Sequence, residues 1–330
     1  MKIFPLNLIP YDSKFDFIRL RWITVAAFVL MTVASLGMMV ANSFPGGRFD
    51  PGGTFNYALD FTGGTAVELR FAKPVDVDAV RSRLAGAGYG NAQVQTFGSG
   101  NDLLVRLQPR EGAASQDDAS QIADAVVQVV SNSDNPARRM SSGYVGPQIG
   151  KELAENGVYA FLFVLIGFGV YISFRFEWKF ALAATATTIA DILIVAGWFA
   201  ISKHEFDLTV LAGILSVLGY SINDKIVVFD RVRENFRAMR APPREVLNRS
   251  INQTLSRTII VSFVAFLTVF ALYLYGGGSL KGMAEAQMIG IVVGTLSSIF
   301  VACPLLLWLG VSKQDLMPKA RDEAALARRP

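Results

Sequence analysis

Four ionisable residues lie in or beside long apolar stretches of this sequence, where a charged side chain is unfavourable. They are Asp191, Asp224, Lys225 and Arg257. Each costs roughly 2.5–3.5 kcal/mol at the centre of a membrane helix, so a functional or structural role must offset that cost. A buried carboxyl group can bind and release a proton, or it can form an ion pair with a nearby cation.

Asp224 is the strongest candidate for proton exchange. Tyr220 and Ser221 precede it by about one helical turn on the same face. Counting back from the basic residues that follow places it about 10 Å inside the apolar layer. A carboxyl group at that depth can exchange a proton near neutral pH. The alternative is a static ion pair with Lys225 or Arg257. Lys225 is also a candidate modulator of Asp224, because it is an adjacent cation.

Asp191 and Arg257 are the other candidates for a proton path. Thr187 and Thr188 lie four and three residues before Asp191, so the three form one polar stripe that should face other helices. This stripe fits a proton or water path, and it equally fits a structural hydrogen bond between helices. Arg257 could reach into the same interior, or it could anchor its helix at the membrane surface.

The elements that must position these charges are membrane helices. The chain is 52% hydrophobic and only 18% charged, which is too apolar for most soluble domains of 330 residues. A spanning helix needs about 20 mostly apolar residues. Six segments come close to that length: 22–41, 157–174, 180–201, 206–229, 258–275 and 283–309. In the last one, Gly290 and Gly294 form a G-x-x-x-G pair that predicts close helix packing.

Basic residues are concentrated in four regions that all fall on one side of the membrane. They precede the first span, separate the second and third, fill 230–257 and follow the sixth span. The positive-inside rule makes that side the cytoplasm. We therefore expect a cytoplasmic N-terminus at 1–21, a basic cytoplasmic loop at 230–257 and a cytoplasmic tail at 310–330. Because these clusters account for the net charge of +4, nucleic-acid binding is not expected.

The insert at 42–156 is the one large segment outside the predicted spans, and it lies on the opposite side. Its pattern predicts strands and helices in the order β-α-β-β-α-β, which is the ferredoxin-like arrangement. The predicted elements are strands at 64–72, 91–97, 101–108 and 137–145, and helices at 75–86 and 116–131. The insert contains no histidine or cysteine and is too small for a deep catalytic cleft, so we expect no catalytic residues.

Cys303 is the single cysteine of the chain. An intramolecular disulfide and a zinc site built on cysteines are therefore both impossible. We expect neither a cofactor nor a bound metal.

Four runs of sequence, in order along the chain, carry a resemblance to a known family. They are LDFTGGT at 59–65, VGPQIGKEL at 145–153, GYSIND at 219–224 followed by VVFDRVREN at 227–235, and QTLSRT at 253–258. On these runs the sequence resembles the SecF members of the SecD/SecF family of protein-export membrane proteins, which belong to the RND-like superfamily.

The resemblance implies a non-enzymatic role. In this family two six-span halves, SecD and SecF, form a twelve-span unit beside the SecYEG channel in the bacterial inner membrane. The unit uses the proton gradient to promote late steps of translocation of exported polypeptide at the periplasmic face. By position, Asp224 and Arg257 match the charged residues implicated in proton transfer. Lys225 departs from the family pattern, in which a small hydroxyl residue is common.

The resemblance also marks residues as a structural signature. In this sequence they are Asp60, Gly63, Gly64, Gly146, Pro147, Gly219, Asn223, Asp230 and Arg231.

Two other functions stay open on the sequence. RND-like pumps export small molecules, but they usually carry two large inserts on twelve spans, whereas this chain has one insert on six. A purely structural membrane scaffold would explain the glycines and the basic loop. It gives no reason for a carboxyl group at Asp224.

Overall fold

The structure, a computed structural model of the chain, describes residues 15–90, 92–97, 100–107 and 116–316. The predicted cytoplasmic segments 1–21 and 310–330 lie partly outside these residues. In chain order the helices are α1 (Arg21–Asn42), α2 (Leu59–Thr62), α3 (Val77–Gly86), α4 (Gln116–Val130), α5 (Pro147–Arg175), α6 (Trp178–Ser202), α7 (Leu208–Ala238), α8 (Pro243–Tyr275), α9 (Gly278–Phe300) and α10 (Ala302–Trp308). The strands are β1 (Asn56–Tyr57), β2 (Gly64–Phe71), β3 (Gln93–Phe97), β4 (Asp102–Leu107), β5 (Ala137–Val145) and β6 (Glu205–Phe206).

Six helical segments of the described part are long and apolar enough to cross a membrane, as the sequence predicts. They are Phe17–Asn42, Gln148–Arg175, Trp178–Ser202, Leu208–Ala238, Pro243–Tyr275 and Leu280–Trp308. The third, fourth and sixth are 67%, 50% and 61% buried along their most apolar stretch, whereas the first, second and fifth are 17%, 6% and 11% buried. The helices α6, α7 and α9 therefore form the centre of the bundle.

The two central helices α7 and α9 pack closely because α9 presents glycines at the contact. A Cβ atom on Gly290 would overlap the side chain of Val217. A Cβ atom on Gly294 would lie 3.3 Å from Ser221 Cβ. The packing role predicted for the G-x-x-x-G pair is confirmed.

The stretch 230–257, predicted as a loop, is instead mostly helical. Helix α7 continues to Ala238 and α8 begins at Pro243, so only 239–242 separate them. Arginine has a high helix propensity, so basic residues can end an apolar span without ending the helix. The break coincides with Pro242 and Pro243, and Pro243 occupies the first position of α8. A residue at that position makes no intrahelical hydrogen bond through its N–H, so the lack of an N–H in proline costs nothing there.

Two other span boundaries differ from the prediction. Helix α5 begins at Pro147, ten residues before the predicted start at 157, with Gly146 as its N-cap. Proline is favoured at the first helical position. The last span is broken at Val301, between α9 and α10. Pro304 explains that break, because its ring clashes with a carbonyl one turn earlier in a continuous helix.

The insert folds as an α+β domain with the predicted ferredoxin-like topology. Its four strands form an antiparallel sheet in the order β3-β4-β2-β5. One face of the sheet is covered by α3 and α4, and its side chains, such as Val67 and Val105, are fully buried. The alternate residues, including Glu68 and Arg106, lie on the other face, which is turned to the helical bundle.

A short parallel ladder joins the start of the domain to the turn between α6 and α7. Strand β1 pairs with β6, with Asn56 opposite Glu205 and Tyr57 opposite Phe206. The Ala58 N–H continues the ladder by donating to the Phe206 carbonyl oxygen at 2.9 Å. The domain is therefore fixed to the N-terminal end of α7.

Candidate functional site

Helix α7 carries both Asp224 and Lys225 near its middle, and both side chains are buried. Asp224 is 3% exposed and Lys225 is fully buried. Adjacent residues on a helix point about 100° apart, so the two side chains must face different neighbours. Lys225 contacts α6, whereas Asp224 lies against α8.

Lys225 forms a buried ion pair with Asp191 of α6. The distance from Lys225 Nζ to Asp191 Oδ2 is 2.6 Å, and both side chains are fully buried. Lys225 Nζ also donates to Thr188 Oγ1 at 3.1 Å and to the Ser221 hydroxyl. The cation of α7 is thus bound to Asp191 and to two hydroxyl groups, and it does not pair with Asp224.

Asp191 is the centre of contact between three helices. Its Oδ2 atom accepts a hydrogen bond from Ser221 of α7 at 2.5 Å and one from Ser297 of α9 at 3.0 Å, in addition to Lys225. Thr187 has a different partner, because its hydroxyl donates to the Ala183 carbonyl of its own helix at 2.7 Å. Of the predicted polar stripe, Thr188 and Asp191 belong to this network.

Asp224 has a smaller set of contacts, made through α8. The Ser262 hydroxyl lies within hydrogen-bonding reach of it. The Ser262 oxygen in turn accepts from Tyr220 at 2.7 Å and from Thr295 at 2.8 Å. Asp224 forms no ion pair with a residue that the structure describes, and its Oδ2 atom has no hydrogen-bond partner among them. It is a buried carboxyl group with one hydroxyl neighbour, Ser262, and no ion pair in the described part of the chain.

Arg257 lies on the outer surface of α8 and does not enter the interior of the bundle. Its side chain is exposed and forms no ion pair within the described ranges. Lys225 and, to a smaller extent, Arg257 nevertheless act electrostatically on Asp224. Asn223 and Gly219 of the signature are also exposed, on the α7 face that continues to Ser216. We call Ser216, Gly219 and Asn223 the exposed face of α7.

The signature around Asp60 lies at the base of the α+β domain. Gly63 has φ +72° and Gly64 has φ +130°, conformations that glycine adopts at little cost. A Cβ atom on Gly64 would also overlap the carbonyl oxygen of Leu107. Asp60 Oδ2 accepts a hydrogen bond from the Leu208 N–H at 3.2 Å, so the signature caps the first turn of α7.

Asp230 and Arg231 lie at the other end of α7. Asp230 accepts two hydrogen bonds from Arg175 Nη2, at 3.0 and 3.1 Å, and so joins α7 to the end of α5. Arg231 pairs with Glu234 of its own helix at 2.8 Å. Both residues are outside the buried charged network.

Ser262, Thr295 and Ser297 also belong to the site, although the sequence does not single them out. Each is a small hydroxyl residue in an apolar helix, which is common in membrane helices and carries little signal by itself. Only the order in which the helices pack shows that these hydroxyls meet the two carboxyl groups.

The comparisons with known proteins identify the family. The family described as "Protein export membrane protein SecD/SecF, C-terminal" matches residues 125–312, and the one described as "SecD/SecF GG Motif" matches residues 52–75. The chain belongs to the SecD/SecF family. The GG motif match spans the segment that contains Asp60, Gly63 and Gly64.

Similar proteins extend the match to nearly the whole chain. The chain is 41% identical over 309 residues to the protein translocase subunit SecF of Pseudomonas aeruginosa, covering 93% of this chain and 95% of the relative. It is 46% identical over 264 residues to that of Vibrio alginolyticus, covering 80% and 83%. A role in protein translocation follows for this member of the family.

A solved structure shares the fold. The crystal structure of SecDF, a translocon-associated membrane protein from Thermus thermophilus, aligns with a TM-score of 0.78 and 36% identity. The alignment covers 91% of this chain and 39% of that chain. The chain therefore spans well under half of that larger protein.

Proposed function

We propose that this chain is the smaller half of a SecD–SecF unit that uses the proton-motive force to promote late steps of protein translocation through the SecYEG channel. In this proposal it is not an enzyme and needs no cofactor. It lies in the bacterial inner membrane with both termini in the cytoplasm. Its α+β domain lies in the periplasm, where it acts on exported polypeptide.

The observation that carries the proposal is the environment of Asp224. Moving one charge across a membrane releases about 2.3 kcal/mol per 100 mV, and a protein can use that energy only if a residue inside the field binds the proton. Asp191 is already neutralised by Lys225. Asp224 is buried in the middle of a long helix and forms no ion pair with a cation in the part of the chain that the structure describes.

The surface around Arg257 supports a second half as partner. Arg257 and Asn223 are exposed on segments of α8 and α7 that are apolar enough to lie in the membrane. Charged and amide side chains are unfavourable against lipid, and they usually face other protein or a water-filled cavity. A second six-span half against the exposed face of α7 would cover both, and the SecDF chain from Thermus thermophilus is long enough to contain such a half.

The test is the substitution Asp224→Asn in membrane vesicles that contain the channel and SecD. Asparagine keeps the shape of the side chain and can still accept a hydrogen bond, but it cannot release a proton. We expect the variant to fold and bind its partner while losing the stimulation of export by an imposed proton gradient. Glu234→Gln is the matched control, because Glu234 lies on the same helix but is exposed.

A full response of Asp224→Asn to the gradient, at equal protein abundance, would contradict the proposal. The proton route would then lie at Asp191 or wholly in the partner.

Reporter fusions test the orientation separately. We expect fusions near residue 100 to report the periplasm, and fusions near 240 and 320 to report the cytoplasm, because arginine-rich segments resist translocation. The site near 320 is outside the described residues. A fusion near 240 that reports the periplasm would reverse the topology.

A further inference from the structure

The outer end of α7 is surrounded by three carboxyl groups. Asp207 is its N-cap and accepts from the Val210 N–H at 2.7 Å. Asp60 accepts from the Leu208 N–H, and Glu205 lies two residues before the cap, in β6. Negative charge is favourable at the N-terminus of a helix, but three acidic groups also repel one another. A cation is needed among them.

Arg106 of the α+β domain supplies that cation. It forms an ion pair with Glu205, and the two side chains are only 17% and 14% exposed. Burial lowers the pKa of the Arg106 guanidinium, and the charges of Asp207 and Asp60 oppose that change. Arginine keeps its proton under such conditions. One residue of the sheet thus compensates the acidic groups at the start of α7.

Arg106 and Glu205 line one part of a wider space between the domain and the bundle. A cleft of about 720 Å³ lies between the open face of the sheet and the outer ends of the helices. Glu68 and Gln95 line the wall formed by the sheet, and His204, Lys281 and Glu285 line the wall formed by the bundle. Such a space allows the domain to tilt about its attachment without breaking its own core.

We propose that Arg106 is a positioning residue that couples movement of α7 to tilting of the α+β domain. The inference rests on the proposed function, because it needs a proton-dependent movement of α7. The helix is continuous from Leu208 to Ala238, and Asp224 lies roughly 24 Å along it from the capped end. A rotation or shift of α7 at Asp224 therefore carries its acidic outer end with it, and Arg106 transmits that movement to the sheet.

The test compares Arg106→Gln with Arg70→Gln in vesicles that contain the channel and SecD. Arg70 is the matched control, because it also lies on the open face of the sheet and pairs with Asp102, but its side chain is 57% exposed. Three quantities are measured at equal abundance: export stimulated by an imposed gradient, proton uptake, and the distance between spin labels at Ser82→Cys and Tyr275→Cys. Both label positions are exposed, one on the domain and one on α8.

We expect Arg106→Gln to lose the stimulation of export, to keep proton uptake and to broaden the label distances. Arg106→Lys should restore part of the export stimulation, because lysine keeps the charge. Arg70→Gln should behave as the parent protein in all three.

Three results would overturn the inference. Unchanged export in Arg106→Gln would show that the pair is not needed for coupling. Combined loss of export and proton uptake would place its effect on the proton site or on folding. Unchanged label distances would remove the mechanical link. Failure of the proposed function is recognised separately, by a full gradient response of Asp224→Asn.

Discussion

Asp191 and Asp224 are two buried carboxyl groups at the centre of the same bundle, and they have opposite surroundings. One oxygen of each lacks a hydrogen-bond partner among the described residues. The difference is that Asp191 has an ammonium group at 2.6 Å, whereas Asp224 has the Ser262 hydroxyl beside it and no ion pair among the described residues. A carboxylate paired with a buried cation stabilises one arrangement of helices. A carboxyl group without that cation can gain or lose a proton without breaking an ion pair.

The largest effect expected from this comparison is on stability. Lys225→Met leaves the Asp191 charge buried without its cation, which should lower the free energy of unfolding by about 3–5 kcal/mol. Thermal unfolding in detergent measures the loss. Replacing both partners, as in Lys225→Met with Asp191→Leu, should recover most of it, because apolar side chains of similar volume pack well there. If Lys225→Met alone were as stable as the parent protein, the ion pair would have no structural role.

The next effect is on transport and concerns Arg257, which lies on the Asp224 side. Arg257→Ala should impair gradient-dependent export while the protein stays folded, because it removes one of the two positive charges, Lys225 and Arg257, that act on Asp224. Arg257→Lys should be tolerated in part, since it keeps the charge. Arg249→Ala is the control on the same helix, where the side chain is also exposed. Normal export from Arg257→Ala at normal abundance would make Arg257 a surface anchor.

The smallest effect is expected at Ser262. Ser262→Ala removes the hydroxyl beside Asp224 and leaves Tyr220 without its acceptor, whereas the Thr295 hydroxyl can still donate to the Ile291 carbonyl oxygen. The loss of stability should be about 1 kcal/mol, since each net hydrogen bond contributes little. Gradient-dependent export should fall in part. Thr295→Val removes a hydroxyl that is more distant from Asp224, so it should change export less. An equal loss of export in the two variants would show that Ser262 has no specific role at Asp224.

The sequence predicted the fold better than it predicted the contacts of the charges. The order of strands and helices in the insert is a local pattern, and it was enough to give the ferredoxin-like topology. The position of Asp224 followed from its distance along an apolar helix. The pairing of Lys225 with Asp191 could not be predicted in this way, because it depends on which helices are neighbours in the bundle. Both the proton path and the structural hydrogen bond were open for Asp191, and the ion pair favours the second.

Arg70 and Arg106 show the same limit in the α+β domain. Both lie on the open face of the sheet, and nothing in the sequence distinguishes them. Arg70 pairs with Asp102 at the surface, whereas Arg106 meets an acidic turn that is distant in sequence. Arg257 was expected either inside the bundle or at the membrane surface, and its exposed position excludes the interior of this chain.

The parallel ladder between β1 and β6 has a consequence for the order of biosynthesis. All strands of the four-stranded sheet are complete once residue 145 has been made, so the domain can acquire its core early. Its attachment needs residues 205–206, which are synthesised roughly 3–12 s later at about 5–20 residues per second. During that interval the folded domain is connected to the first span but is not yet attached through β6. The Arg106–Glu205 ion pair can therefore form only after α6 has been synthesised.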